Sequence, residues 1–280
     1  MDKTILITGG TAGLGRETVR VLAGMGARVI FVARNAEKAA RTAAEIERET
    51  GAQVAYVLAD LAVLAQVRGA AEEVKRRWDR LDVLINNAGA IFWGRRESTD
   101  GIEMTLALNH LAYFGLTWEL LDGLKASAPA RIVNVASSAQ YSVKELNLDD
   151  LEMRQNYGAF AAYAQSKLAN VLFTYELARR LAGTGITANA LHPGFVATQI
   201  GTNNYGVLGK IARRLFNLRS ISVEEGARTM VYLAVSPEVE GVSGQYFERE
   251  RPKRSAELSY DENLARRLWE ISERMTHRTM

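Results

Sequence analysis

The stretch ILITGGTAGLGRETV, residues 5–19, decides how the chain is read. An aliphatic run stops at a glycine-rich turn holding Gly9, Thr11, Gly13, Leu14 and Gly15, and a helical pattern follows at once. Strand, glycine turn and helix, in that order, make a phosphate-binding unit of parallel α/β folds. Glycine lets the backbone approach a pyrophosphate, while the free N–H groups and dipole of the helix start favour its negative charge. An ordinary turn has the same glycines, so the flanking chain has to choose.

Outward from this loop the pattern repeats. ARVIFVAR (27–34) reads as a second strand, followed by a helix to Gly51; AQVAYVLAD (52–60) as a third, followed by a helix over 63–78; LDVLINNAG (81–89) as a fourth. A long helix near 102–127, the strand ARIVNVAS (130–137), a helix near 159–182, the strand GITANALH (185–192), a helix from Val223 and the short strand SGQYFER (243–249) complete the alternation. Strands joined by helices of this length imply right-handed βαβ crossovers and a parallel sheet, and almost wholly apolar strands fit a sheet covered on both faces. The expectation is an α/β fold: a single doubly wound Rossmann domain over 1–280, with a mostly parallel sheet of about seven strands. Two connections interrupt the rhythm, 138–158 and 195–221, and long connections of this kind are often lids. The second is read as a small lid and residues 255–280 as a helical extension, with an amphipathic ENLARRLWEISERM (262–275).

Composition narrows the function classes. The chain has 280 residues, net charge +3 and no cysteine, which excludes disulfides and thiolate chemistry. His110, His192 and His277 are far apart and show no metal-ligand spacing. The basic runs GKIARRLFNLR and ERERPKR read as solvated faces, so no nucleic-acid partner is expected. No apolar run reaches membrane-spanning length and the chain starts almost directly on a strand, so neither a leader nor an anchor is expected, and the location expected is cytoplasmic.

The strand ends carry the remaining motifs. The second strand ends VIFVARN (29–35), with Ala33 and Arg34 where a carboxylate would hold a ribose 2′-hydroxyl. A guanidinium suits a 2′-phosphate; Arg34 therefore favours NADP, with NAD as the alternative and a solvated arginine as the plain reading. Asp60 and Leu61 close the third strand, and Asn86 to Gly89, including Asn87 and Ala88, close the fourth. The fifth delivers Ser137 and Ser138 to the same sheet edge. The next helix carries Tyr163 and Lys167 at i and i+4, on one face. A tyrosine titrates near 10 when free; a lysine cation and an oxidised nicotinamide beside it favour the phenolate, so that Tyr163 exchanges a proton with an alcohol or carbonyl oxygen. A serine hydroxyl orients that oxygen.

The T-G-x-x-x-G-x-G spacing, NNAG and Tyr-x-x-x-Lys together resemble the short-chain dehydrogenase/reductase family, over most of the chain. The resemblance implies Asp60 beside the adenine, NNAG along the cofactor, Ser137 as the catalytic serine with Ser138 as the alternative, and Asn109 as the fourth catalytic member, bending its helix and holding a water that links the lysine to solvent. It also implies that LHPGFVAT (191–198) covers the nicotinamide through Pro193, Gly194, Val196 and Thr198. Taken alone, Asn109 is equally a buried amide bonded to backbone. YAQSKLANVLFTYELARRL, GVSGQYF and a Ser137–Tyr163 gap about twice the usual one look like the retinol dehydrogenase-like branch, to which the WW-domain-containing oxidoreductase is similar. That branch implies a small lipophilic carbonyl or alcohol of retinoid or steroid type. Gln140 stands where the branch has histidine, and neither its membrane-anchoring start nor a WW domain is seen.

Leu208, Ile211, Leu215 and Leu218 share a helical face that covers a hydrophobic ligand, lies on a membrane, or simply packs, and Phe92 and Trp93 either line the same pocket or only pack. Two rival readings stay open: a cofactor-binding sensor or scaffold without useful turnover, and an NADPH-dependent pigment reductase resembling protochlorophyllide reductase, which the lack of cysteine disfavours. A homodimer or homotetramer through the two long central helices is the family's usual assembly.

Overall fold

Along β1 (Thr4–Thr8) Ile5 and Ile7 turn to one side of the sheet and Leu6 to the other, and all three are fully buried. This alternation is the geometric consequence of the strand's two-residue repeat, and it requires a layer of helices on each face. The computed structural model describes residues 1–195 and 221–277. Its strands are β1, β2 (Arg28–Ala33), β3 (Ala55–Leu58), β4 (Val83–Asn86), β5 (Ala130–Val135), β6 (Ile186–His192), β7 (Tyr246–Glu248) and β8 (Arg251–Pro252). Their order in the sheet is β3-β2-β1-β4-β5-β6-β7-β8. Seven strands run parallel; β8, which the sequence reading does not contain, is a two-residue antiparallel edge.

On one face α1 (Gly13–Gly24), α2 (Ala36–Thr50) and α6 (Val223–Val235) pack against Ile5, Ile7, Val29, Phe31, Ile85 and Val133. On the other lie α3 (Leu64–Arg77), the long α4, α5 (Ala159–Arg180) and α7 (Glu262–His277). Helix α4 is not uniform. It runs as Met104–Leu106, a π turn over Ala107–Leu111, and Ala112–Ala126. Buried Glu103 caps its start, accepting from the N–H groups of Thr105 and Leu106 at 2.8 and 2.7 Å.

The strand order reverses between β1 and β4, the crevice where an open parallel sheet binds its ligand. The connection 138–158 holds two short 3₁₀ turns, Ser138–Ser142 and Leu148–Asp150. The proposed lid, with Val196, Thr198, Leu208, Ile211, Leu215 and Leu218, lies outside the described residues apart from its ends. Those ends meet: the Ile221 N–H donates to the Phe195 carbonyl at 2.9 Å.

Helix α7 covers α4 and α5. Its Trp269 ring lies 4.9 Å from Phe114 of α4 and 5.7 Å from Phe173 of α5, while Ala265 and Leu268 pack on Leu168, Ala169 and Leu172. Among the described residues no helix is long and apolar enough to cross a membrane.

Candidate active site

The glycine turn is shaped by close approach. Gly9 and Gly13 have φ of +73° and +50°, in the region that disfavours side chains. A Cβ on Gly15 would lie 2.2 Å from the Gly9 carbonyl oxygen and 2.7 Å from Asn87 Nδ2. Gly10, which the motif reading passed over, is equally constrained, since a Cβ there would meet Phe31 Cβ at 2.4 Å. Helix α1 starts at Gly13 from Ala12, with no side-chain cap and no acidic residue in its first turn. By contrast α2 and α6 are capped by Asn35 and Ser222. A helix start without a side-chain cap, beneath a glycine-rich turn, fits a pyrophosphate.

The NNAG segment is tied to this turn by a residue that sequence reading missed. The Thr8 hydroxyl oxygen accepts from the N–H groups of Asn87 and Ala88 at 2.8 and 2.9 Å, and Asn87 Nδ2 donates to the Thr8 carbonyl at 2.8 Å. Beneath it, buried Asn86 Nδ2 donates to Asn134 Oδ1 (2.9 Å) and Thr117 (3.0 Å), and Asn134 Nδ2 donates to Thr174 (2.9 Å). The amide ladder follows from register, because Asn86 and Asn134 are direct partners on β4 and β5.

At the ends of β2 and β3, the Arg34 side chain is 78% exposed and lies 3.7 Å from Asp60 Oδ2. Asp60 Oδ1 accepts from the Ala62 N–H at 3.1 Å, and Leu61 is buried. Arg34 is thus held only loosely, free to turn toward a bound anion.

Around the Tyr–Lys pair the predicted residues converge. Ser137 is the serine that bears on the Tyr163 phenol, drawing its pKa down against burial, and its hydroxyl oxygen accepts from the Ala139 N–H at 3.2 Å. Lys167, 3% exposed, donates to the Val135 carbonyl at 2.9 Å. Its Nζ stands between two rings, 5.7 Å from the centroid of Tyr163 and 5.6 Å from that of Tyr113. Asn109 lies in the π turn, and its amide clamps Ala90, accepting from the N–H at 2.9 Å and donating to the carbonyl at 3.0 Å. That clamp holds Gly89 against the lysine: a Cβ there would be 3.4 Å from Nζ. Asn109 is therefore a backbone-bonded amide, as its plain reading has it, and a part of the lysine's surroundings as well. Pro193 and Gly194 follow β6 at the same edge, Gly194 with φ of +91°, while Val196 and Thr198 fall outside the described residues.

One electrostatic expectation changes. Sequence reasoning has the Lys167 cation pulling the phenol down. In the protein alone, burial pushes Tyr163 up, opposed by the Ser137 hydrogen bond, and burial pulls Lys167 down to about 7. Loss of water penalises the charged form of each group, and here it is the largest influence on both. Gln140 is fully buried, its Oε1 accepting from the Ala256 N–H at 3.3 Å.

Comparison with known proteins agrees with this geometry. A family model described as short chain dehydrogenase matches residues 3–205. The chain is 46% identical to mouse (Mus musculus) retinol dehydrogenase 14 over 288 residues, covering 98% of this chain and 85% of the relative. It is 41% identical to human (Homo sapiens) polyprenol dehydrogenase over 283 residues, covering 98% and 85%. A short chain dehydrogenase from Burkholderia cenocepacia, solved with NADP, superposes with a TM-score of 0.69 at 28% identity, covering 88% of this chain and 95% of that one. The chain belongs to the short-chain dehydrogenase/reductase family, in its retinol dehydrogenase-like branch, and is an NAD(P)-dependent oxidoreductase acting on CH–OH groups.

Proposed function

We propose that this enzyme is a single catalytic domain over residues 1–280 that interconverts a lipophilic alcohol and its carbonyl with NADP, Tyr163 carrying the proton. The observation that carries the reading is buried Lys167, donating to the Val135 carbonyl with its Nζ 5.7 Å from the Tyr163 ring, beside Ser137 at the end of β5. When bound, the nicotinamide takes or supplies the hydride and, oxidised, adds a positive charge beside the phenol. Ser137 holds the substrate oxygen. In oxidation Tyr163 accepts the hydroxyl proton as hydride leaves the carbon; in reduction it returns that proton to the carbonyl oxygen. Lys167 favours the phenolate whenever it is charged. Gly9, Gly13, Gly15 and the start of α1 hold the pyrophosphate, Asp60 and Leu61 the adenosine, and Asn87 to Gly89, Pro193 and Gly194 the nicotinamide side. Arg34 takes the 2′-phosphate, its loose contact with Asp60 giving way to a charge-assisted bond.

The substrate class draws support from the relatives' names, retinol and polyprenol dehydrogenase, both of which denote long isoprenoid alcohols. It also draws on exposed aromatic residues near the sheet's carboxyl edge: Trp93 after β4, Phe160 one turn before Tyr163, and Phe195 after β6. The test is titration of NADPH against NADH on wild type and Arg34→Asp, followed by turnover of all-trans-retinal. NADPH is expected to bind about tenfold tighter, and the substitution to reverse the order. Equal or tighter NADH binding in wild type would overturn the NADP assignment, and binding of neither would overturn the whole reading.

A further inference from the structure

Sequence reading set His110 aside because it has no metal-ligand spacing, and Asn170 drew no attention. The structure joins them to the lysine. His110 lies in the π turn of α4, Asn170 on α5 one turn after Lys167, and Ser272 on α7; each is 1% exposed or less. Asn170 Nδ2 donates to the Asn109 carbonyl at 2.9 Å and lies 3.5 Å from the Val135 carbonyl, the oxygen that accepts from Lys167 Nζ. With that end of the amide occupied, Asn170 Oδ1 faces His110 Nδ1 at 3.2 Å, so Nδ1 carries the proton. His110 Nε2 then accepts from the Ser272 hydroxyl at 2.8 Å, whose single proton is shared with the Leu268 carbonyl, 2.8 Å from the same oxygen.

A buried histidine bonded only to neighbours for satisfaction would be core. This one differs in where its bonds lead. The line from α7 ends on the carbonyls of Asn109 and Val135, and Asn109 in turn clamps the segment that sets Gly89 against Lys167. The π turn makes the connection, widening the helix at the point where Asn170 enters. The groups facing Lys167 are the Tyr163 and Tyr113 rings and the Val135 carbonyl; those facing His110 are Asn170, Ser272 and the edge-on Phe173 ring.

We propose that Ser272, His110 and Asn170 are positioning residues, a buried hydrogen-bonded line by which α7 fixes the carbonyls that hold Lys167 and Asn109 in working geometry. The proposal deepens the oxidoreductase reading and rests on it.

The experiment compares wild type with His110→Leu, His110→Gln and Ser272→Ala. It uses all-trans-retinal and decanal with NADPH, and the matching alcohols with NADP across pH. His110→Leu is expected to lower kcat about tenfold or more with KM and NADPH affinity within about twofold, and to move the acid limb of alcohol oxidation to higher pH as Tyr163 loses the lysine's support. His110→Gln, which keeps an N–H donor, is expected within about threefold of wild type. Should His110→Leu not fold, Ser272→Ala carries the same test with a smaller loss of kcat. Variants that fold with wild-type kcat and pH profile, losing only thermal stability, would reduce the line to core packing and overturn the proposal. If wild type turns over neither aldehyde, the proposed lipophilic substrate and NADP reading is what fails. The line itself is then decided by ¹⁵N-histidine NMR on wild type and Ser272→Ala. An exchange-protected Nδ1–H on His110 that shifts in the variant supports it; an Nε2–H tautomer or a freely exchanging ring overturns it.

Discussion

Lys167 donates to Val135 from a site that is 3% exposed, and burial draws its ammonium down to about 7 from an ordinary 10.5. The unfolded chain therefore keeps this proton to a higher pH than the folded chain does. The penalty on the fold is complete below about pH 7 and fades as pH rises toward 10.5. Lys167→Met, close in volume and uncharged, is expected to raise the Tm of the cofactor-free protein while abolishing turnover, with a larger gain at about pH 6 than at about pH 9. A gain that does not vary with pH would show that charge burial is not its source. The phenol is tested differently. Tyr163→Phe is expected to cut kcat by about a thousandfold with dinucleotide affinity retained. Ser137→Ala is expected to follow it and Ser138→Ala to stay near wild type, because Ser137 is the serine that bears on the phenol's titration. Equal losses at both serines would remove that distinction.

At the scale of elements, the glycine turn and π turn show two ways in which local backbone makes a site. Gly15 is required by space, its missing Cβ lying 2.2 Å from a carbonyl oxygen, whereas Gly69 on α3 has open space around it and an ordinary φ. Gly15→Ala is expected to cost about 1–3 kcal/mol and to abolish dinucleotide binding. Gly69→Ala is expected to stabilise by about 0.5–1 kcal/mol by restricting the unfolded chain and favouring helix. Denaturant midpoints with a binding titration separate the two, and a Gly15→Ala variant that binds normally would show that the turn relaxes. The glycine turn was readable from spacing because glycines, strand and helix are contiguous. The π turn was legible only as the bend at Asn109 that the family resemblance implies, and Asn109 and its partners on α5 reveal what it is for.

For the whole molecule, α7 acts as a core helix although its sequence reads as an amphipathic extension. Trp269 closes an aromatic cluster with Phe114, Phe173 and Trp118, and the Arg180 guanidinium lies 4.3 Å over its ring. Trp269→Ala is expected to cost about 3–5 kcal/mol and, by baring the α4–α5 face, to promote self-association seen by light scattering. An unchanged unfolding midpoint would take α7 out of the core.

The amino-acid sequence determined the βα alternation, the doubly wound order and the residues at the strand ends, because each is written in contiguous patterns: two-residue alternation, apolar helix stripes and glycine spacing. It also held Tyr163 and Lys167 together, since a helix places i and i+4 on one face. What only the tertiary structure decided are relations between distant segments. They are the Asn86–Asn134 ladder, the Thr8 anchor for NNAG, the line from Ser272 to the lysine, and the direction of the Tyr163 and Lys167 shifts. Burial and hydrogen-bond partners are properties of packed neighbours brought together across many residues of chain, and no local pattern records them.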